Sequence, residues 1–500
     1  MRSRRTAPVV AATVIVSTAL ATGTGSAAVS TGPSTTVSPY VVPVADGVDV
    51  TSLLTVGDRP AGNGYRMVGI PDGLGAYRDA EDLVVLENQE LRDTVGVVRR
   101  HGQAGAFVSR FVLDPGTGRV SSGSDLIDPG VNYWDYPAGG YAAAPVPPTG
   151  ATTGHTPAFS RFCSGALTER GQLRNGRNGY EDRIYFANEE SGDEGRVVGV
   201  TTDGQAWQLP RLGLFSWENT LAADNHSDTT VVMGNEDGGD GQLRAYVGTK
   251  QAEGSPVDRA GLTSGTLHVI TVPGLADATS SAAYGKGTSW PFGLTEVDWN
   301  KSGAAQNAEA HAVGTTLNRI EDGHFDPRNR NDYYFLTTEG GERTPDPSEP
   351  GASRDGGGLW RLSFTDVDRP ELGGTLTLLL DGTEAPYLNK PDNMAIDREG
   401  NLLIQEDPGG NAHLARIVAY SIADGALATV AQFDPARFTS GGPGFITQDE
   451  ESSGIIEIAK GRFLLDAQVH APTGDPETVE HGQLLTMTVD DWDDVYGEAG

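Results

Sequence analysis

The sequence has one cysteine in 500 residues, Cys163. That excludes an intramolecular disulfide framework and any cysteine-rich zinc site. Basic residues are also scarce: 36 Lys and Arg face 68 Asp and Glu, a formal net charge of −32 at pH 7. Nucleic acids and anionic membranes are held largely by Lys and Arg, so this balance argues against both partners and suits a protein that binds cations. No hydrophobic run is long enough to span a bilayer comfortably. No stretch has the amphipathic helical periodicity that alternating βαβ units need. The histidines show no zinc-type spacing, and no Ser-His-Asp elbow, phosphate loop or dinucleotide fingerprint is present.

Glycine, by contrast, is abundant at 67 residues. With enough apolar residues to fold, that composition means short strands and many turns. At the amino terminus, Arg2, Arg4 and Arg5 precede an apolar run from Ala7 to Ala21 and then small residues. Residues 1–28 therefore read as an export signal, with Ser3-Arg4-Arg5 pointing to the twin-arginine route and a secreted or periplasmic protein. The Ser/Thr/Pro-rich stretch 29–45 reads as a linker, and 46–492 as one domain.

That domain repeats itself. Pro71-Asp72-Gly73-Leu74 leads to Asp82–Asn88, and Pro391-Asp392-Asn393-Met394 leads to Asn401–Asp407. Looser copies start at Cys163, Trp217-Glu218-Asn219, Ile320-Glu321-Asp322 and Gly444-Phe445. Each gives a polar turn, then an apolar strand ending in carboxylates or amides, then a glycine turn and another strand. Six such units predict an all-β fold, a six-bladed β-propeller. A β-sandwich pair or two stacked β domains are the alternative, but they give the acids no reason to recur.

In a propeller, equivalent positions of successive blades converge on the axis. One set would be Asp72, Glu218, Glu321 and Asp392; a second would be Asn88, Glu90, Glu189, Glu190, Glu236, Asp237, Glu406 and Asp407. Crowded carboxylates raise one another's pKa, and a multivalent cation such as Ca²⁺ removes that penalty. Cys163 holds the repeat position that Asp or Glu fills elsewhere, and its sulfur would suit iron better than calcium. Arg319, two residues before Glu321, could hold an oxyanion with paired hydrogen bonds.

With these residues in place, the chain resembles the PhoX-type alkaline phosphatases from about Thr51 to His470. The carriers are Leu53–Asp58, Glu87-Asn88-Gln89-Glu90, Cys163 with Gly165, Glu189-Glu190, Glu218, Arg319-Ile320-Glu321, Pro391-Asp392-Asn393 and Asp466–Pro472. The resemblance implies an exported, six-bladed propeller enzyme that hydrolyses phosphate monoesters at a cluster of Fe³⁺ and Ca²⁺; a small-molecule phosphoester substrate, no membrane span and a monomer are expected. Cys163, Glu218 and Glu321 would hold iron; Glu90, Glu189, Glu190, Asp392 and Asp407 are expected among the calcium ligands. Glu218, Glu321 and Arg319 would be catalytic, and Arg319 and Asn88 would touch substrate. The chain departs from the family at Gln89 and Trp217, where histidines are expected, and in Gln468–Pro472, where the family has Gln-His-Pro-Gly. Two other readings are a calcium-dependent propeller lactonase, suggested by Pro391–Ile404, and a non-catalytic calcium-binding propeller.

Overall fold

Short apolar strands divided by glycine turns bury their faces by stacking sheet on sheet. The computed structural model describes residues 27–497 apart from 61, 152–153, 342–354 and 411. Pro71–Asp79, Asp82–Gln89, Phe107–Leu113 and Val120–Asp125 pair antiparallel in chain order. Phe162–Leu167, Ile184–Glu189, Val197–Thr201 and Ala206–Gln208 repeat that meander. Trp217–Ala222 and Ile320–Asp326 each start another, and Ser289–Val297 pairs with the last strand of both, merging them into one nine-stranded sheet. Pro391–Ile396 and Glu450–Ala459 lie at the edges of two five-stranded sheets.

The starting strands stand side by side around a centre. Pro71–Asp79 packs on Phe162–Leu167, and the contacts continue through Trp217–Ala222, Ile320–Asp326, Pro391–Ile396 and Glu450–Ala459 back to Pro71–Asp79. The fold is all-β and propeller-like. Hydrophobic layers fill the spaces between neighbouring sheets; Leu403, Ile417 and Val430 meet Phe463, Leu465 and Leu485 in one of them. Each such side chain contributes about 1.5–3 kcal/mol of burial.

The chain ends close the ring. Val48–Thr55 pairs with Glu480–Val489, so amino- and carboxy-terminal strands share a sheet. The expected linker 29–45 is part of this closure and not a free tether. Ala28–Thr31 runs parallel to Val48–Thr55, Val41–Pro43 pairs with Leu427–Phe433, and Tyr40 is buried against Phe438. Pro43 pairs at an edge, where a missing N–H costs little, and Thr35 Oγ1 shares a hydrogen bond with Thr55 Oγ1 at 2.9 Å. The expected export signal lies outside the described residues except for Ala27 and Ala28. Among the described residues no helix is long and apolar enough to cross a membrane.

Candidate active site

Where the central strands begin, five of them slip register by one residue: between Pro71 and Leu74, Phe162 and Gly165, Trp217 and Thr220, Ile320 and Gly323, and Pro391 and Met394. A β-bulge re-aims the side chain it carries. The residues inside these bulges include Asp72, Cys163, Glu218, Glu321 and Asp392. The backbones meet closely there; a Cβ on Gly73 would lie 2.0 Å from Gly165 N. On the sixth strand the slip comes later, between Ser453 and Ile455.

A backbone hydrogen bond recurs six times beside the bulges and builds a second ring. The N–H groups of Glu90, Glu190, Asp237, Thr338, Asp407 and His470 donate to the carbonyls of Ile70, Arg161, Ser216, Arg319, Lys390 and Asp449, at 2.9 to 3.0 Å. Each acceptor stands two residues before a central residue: Asp72, Cys163, Glu218, Glu321, Asp392 and, by this count, Glu451. Ile70, Arg161, Arg319 and Lys390 take left-handed backbone conformations at φ 54°, 51°, 53° and 48°.

Two groups of donors result. Ligand atoms of Glu90, Cys163 and Glu190 lie within 4.8 Å of one another, and so do those of Glu218, Glu321 and Asp392. Cys163 Sγ joins the groups by donating to Glu218 Oε2 at 3.1 Å. Ser164 Oγ donates to Glu218 Oε1 at 2.6 Å and accepts from Asn393 Nδ2 at 2.7 Å, so a relay fixes Glu218 from below. Arg319 donates Nε and Nη2 to Asp237 at 2.9 and 3.0 Å, and its Nη2 lies 3.3 Å from Glu321 Oε1. Arg161 donates Nε to Glu90 at 2.7 Å and Nη2 to Glu190. Gln468 Nε2 bridges towards Asp72 at 3.0 Å and Glu90 at 3.4 Å.

Burial and mutual repulsion push these acids upward. Burial first, then the charges of Asp237 and Asp322, raise Glu218 to about 8 against the hydrogen bonds it accepts. Burial and the Glu451 charge raise Asp407 to about 7, although His470, Lys390 and Arg319 pull the other way. Asp72, Glu190, Glu321 and Asp392 lie well above the usual carboxylate range for the same two reasons. Burial and the surrounding carboxylates push the Cys163 thiol up as well. Burial pulls His470 down, but hydrogen bonds and charges of Glu451 and Glu480 win and hold it at about 11. This many crowded oxygens plus one sulfur is a donor set for hard cations with one softer position. The residues present fit a metal cluster.

Four residues expected in the second ring do other work. Asn88 turns its Nδ2 to the backbone carbonyls of Cys163 and Ser164 at 2.6 and 3.3 Å, so it anchors the Cys163 bulge and is not placed as a substrate contact. Glu189 is spent on Arg196: its oxygens accept from Arg196 Nε at 2.6 Å, Nη2 at 2.7 Å and N at 3.0 Å, and from Ser160 N at 3.0 Å. Strand alternation explains this, because adjacent residues cannot both face the centre. Glu236 on Arg244 and Glu406 on Arg416 are built alike, leaving Asp237 and Asp407 to turn inward. Glu189→Gln is expected to destabilise the fold by about 3–5 kcal/mol, the cost of orphaning a buried ion. Denaturant unfolding alongside elemental analysis checks this; a drop in bound metal without a loss of stability would return Glu189 to the site. Sequence reasoning passed over Arg161, Lys390, Glu451 and His470; the shared spacing to the central residue was the available signal.

The family model for alkaline phosphatase PhoX matches residues 161–456. The chain belongs to the PhoX family. No curated protein matches the sequence. Among solved structures, Pseudomonas fluorescens PhoX in complex with vanadate, a transition state analogue, shares the fold at a TM-score of 0.63 and 14% identity, covering 90% of this chain and 96% of that one. A putative 6-phosphogluconolactonase from Bacteroides uniformis aligns over 80% of this chain and 95% of its own at 11% identity, with a TM-score of only 0.32. The PhoX match spans the Cys163 bulge, both donor groups except Glu90, and Arg319.

Proposed function

We propose that this protein is an exported metal-dependent phosphatase that hydrolyses phosphate monoesters at the mouth of a six-bladed propeller. Six recurring backbone hydrogen bonds and the closed ring of central strands support the blade count. The observation that carries the activity is one thiol-to-carboxylate contact, Cys163 to Glu218 at 3.1 Å, joining two carboxylate groups beside an arginine. Family membership supports the same reading.

Cys163, Glu218 and Glu321 would hold iron; Glu90, Glu190, Asp392 and Asp407 would hold calcium. Such ions polarise phosphoryl oxygens and lower the pKa of bound water. The chain's own residues do the rest. Ser164 and Asn393 lock the Glu218 carboxylate in one orientation. Asp237 fixes the plane of the Arg319 guanidinium, leaving Nη1 without a hydrogen bond among the described residues. Arg319 is half-buried at 31% side-chain exposure, so it can reach an entering ester while bulk water is largely kept away. An anion forming there is stabilised by a donor that needs no reorientation.

The test is an aryl phosphate assay run with elemental analysis of purified protein. Arg319→Ala is expected to lower turnover about 10²- to 10³-fold with bound metal unchanged. A protein that binds iron and calcium but turns over no phosphate ester would overturn the proposal.

A further inference from the structure

Arg161 occupies the same place in its repeat as Arg319 does. Both stand two residues before a central residue, Cys163 in one case and Glu321 in the other. Both are left-handed, and their carbonyls accept from the matching residues Glu190 and Thr338. Both side chains are about one-third exposed, at 33% and 31%. Each has Nε and Nη2 held by acids of the site: Arg161 donates one to Glu90 and one to Glu190, Arg319 donates both to Asp237 with Glu321 at ion-pair distance, and each leaves Nη1 without a hydrogen bond among the described residues. Ile70 shares the backbone turn without the charge, so the turn belongs to the fold and the guanidinium is what these two positions add. The strands of Cys163 and Glu321 flank the strand of Glu218 on either side.

We infer that Arg161 is a second anion-binding arm, which grips the substrate's phosphoryl group from the opposite flank of Glu218 to Arg319. The inference rests on the phosphatase reading and extends it. A guanidinium whose plane is fixed by carboxylates offers a preset N–H to a tetrahedral oxyanion, and two such donors on opposite sides restrict its rotation. An arginine serving only as counter-charge for Glu90 and Glu190 would have no need to keep a third of its side chain in solvent.

Inorganic phosphate titrated calorimetrically into the metal-loaded protein tests this. Arg161→Ala is expected to weaken phosphate binding at least about tenfold, as loss of a charge-assisted hydrogen bond does, with iron and calcium content unchanged. Arg161→Lys keeps the charge but not the fork, so it should recover only part of the affinity. Added guanidinium in the millimolar range should restore part of the loss in Arg161→Ala. Phosphate affinity equal to wild type in Arg161→Ala, while Arg319→Ala loses it, would overturn the second arm and leave the phosphatase reading standing. Metal content that changes in step with affinity would make Arg161 a counter-ion and also overturn it. A wild-type protein that binds no phosphate would overturn the phosphatase reading itself.

Discussion

Chelated protein is expected to melt at higher temperature as the pH falls from 8 to 5, whereas calcium-loaded protein is expected to melt lower over the same range. In the metal-free fold, burial and like charge raise Glu218 to about 8 and Asp407 to about 7. Asp72, Glu190, Glu321 and Asp392 move the same way. Unfolded carboxyls release their protons near 4. Between those limits the native state binds more protons than the unfolded state, so stability falls as pH rises. His470, held at about 11, adds to this slope above its unfolded value near 6.5. His101, lowered to about 4 by burial, opposes it below that value, as do His268 and His324, but they are outnumbered by the carboxyls. With each pKa unit worth about 1.4 kcal/mol, the spread across this range should be a few kcal/mol and several degrees in Tm. Cations reverse the sign because they require deprotonated ligands and stabilise only the folded state. Scanning calorimetry in chelator and in excess calcium reads both slopes. Parallel slopes would mean that these carboxyls do not share a cation site.

What could be read from the residues was the recurrence itself. Asp72, Glu218, Glu321 and Asp392 each sit just before an apolar strand, and Cys163 stands in register with them, so period and position pointed to one centre. Direction was harder. In Glu189-Glu190, Glu236-Asp237 and Glu406-Asp407 the two acids look alike in sequence, yet only the second turns inward. The decision lies with Arg196, Arg244 and Arg416, which stand at or just before the start of the strand paired to each and satisfy the first acid. No linear motif marks that pairing. Glu451 hides in the run Asp449-Glu450-Glu451, where strand alternation alone leaves the inward residue open. Arg161 escaped notice because the residue it precedes by two is a cysteine, so the spacing to an acid that marked Arg319 was missing. The stretch 29–45 looked like a tether because edge strands tolerate the small and proline-rich composition that linkers also use.

Replacing Glu218 with glutamine is expected to lower phosphate-ester turnover about 10³-fold while making the chelated protein more stable at pH 8. The two effects share a cause. Glu218 is buried at 2% exposure and adjoins both donor groups, accepting the Cys163 thiol on one oxygen and the Ser164 hydroxyl on the other. Its charge is costly in the metal-free fold, where Asp237 and Asp322 repel it. The same charge is what a cation held by Glu218, Glu321 and Asp392 would need. An amide of the same shape keeps the Ser164 hydrogen bond, removes one negative charge from the crowd and offers a cation one weak oxygen in place of a carboxylate. The loaded variant should therefore gain less Tm from added calcium than wild type does, and should carry less iron. Elemental analysis, turnover and melting curves with and without chelator separate these effects. If the variant kept full iron and wild-type turnover, Glu218 would not be a metal ligand; if the chelated variant melted lower than wild type at pH 8, repulsion would not be what this site stores.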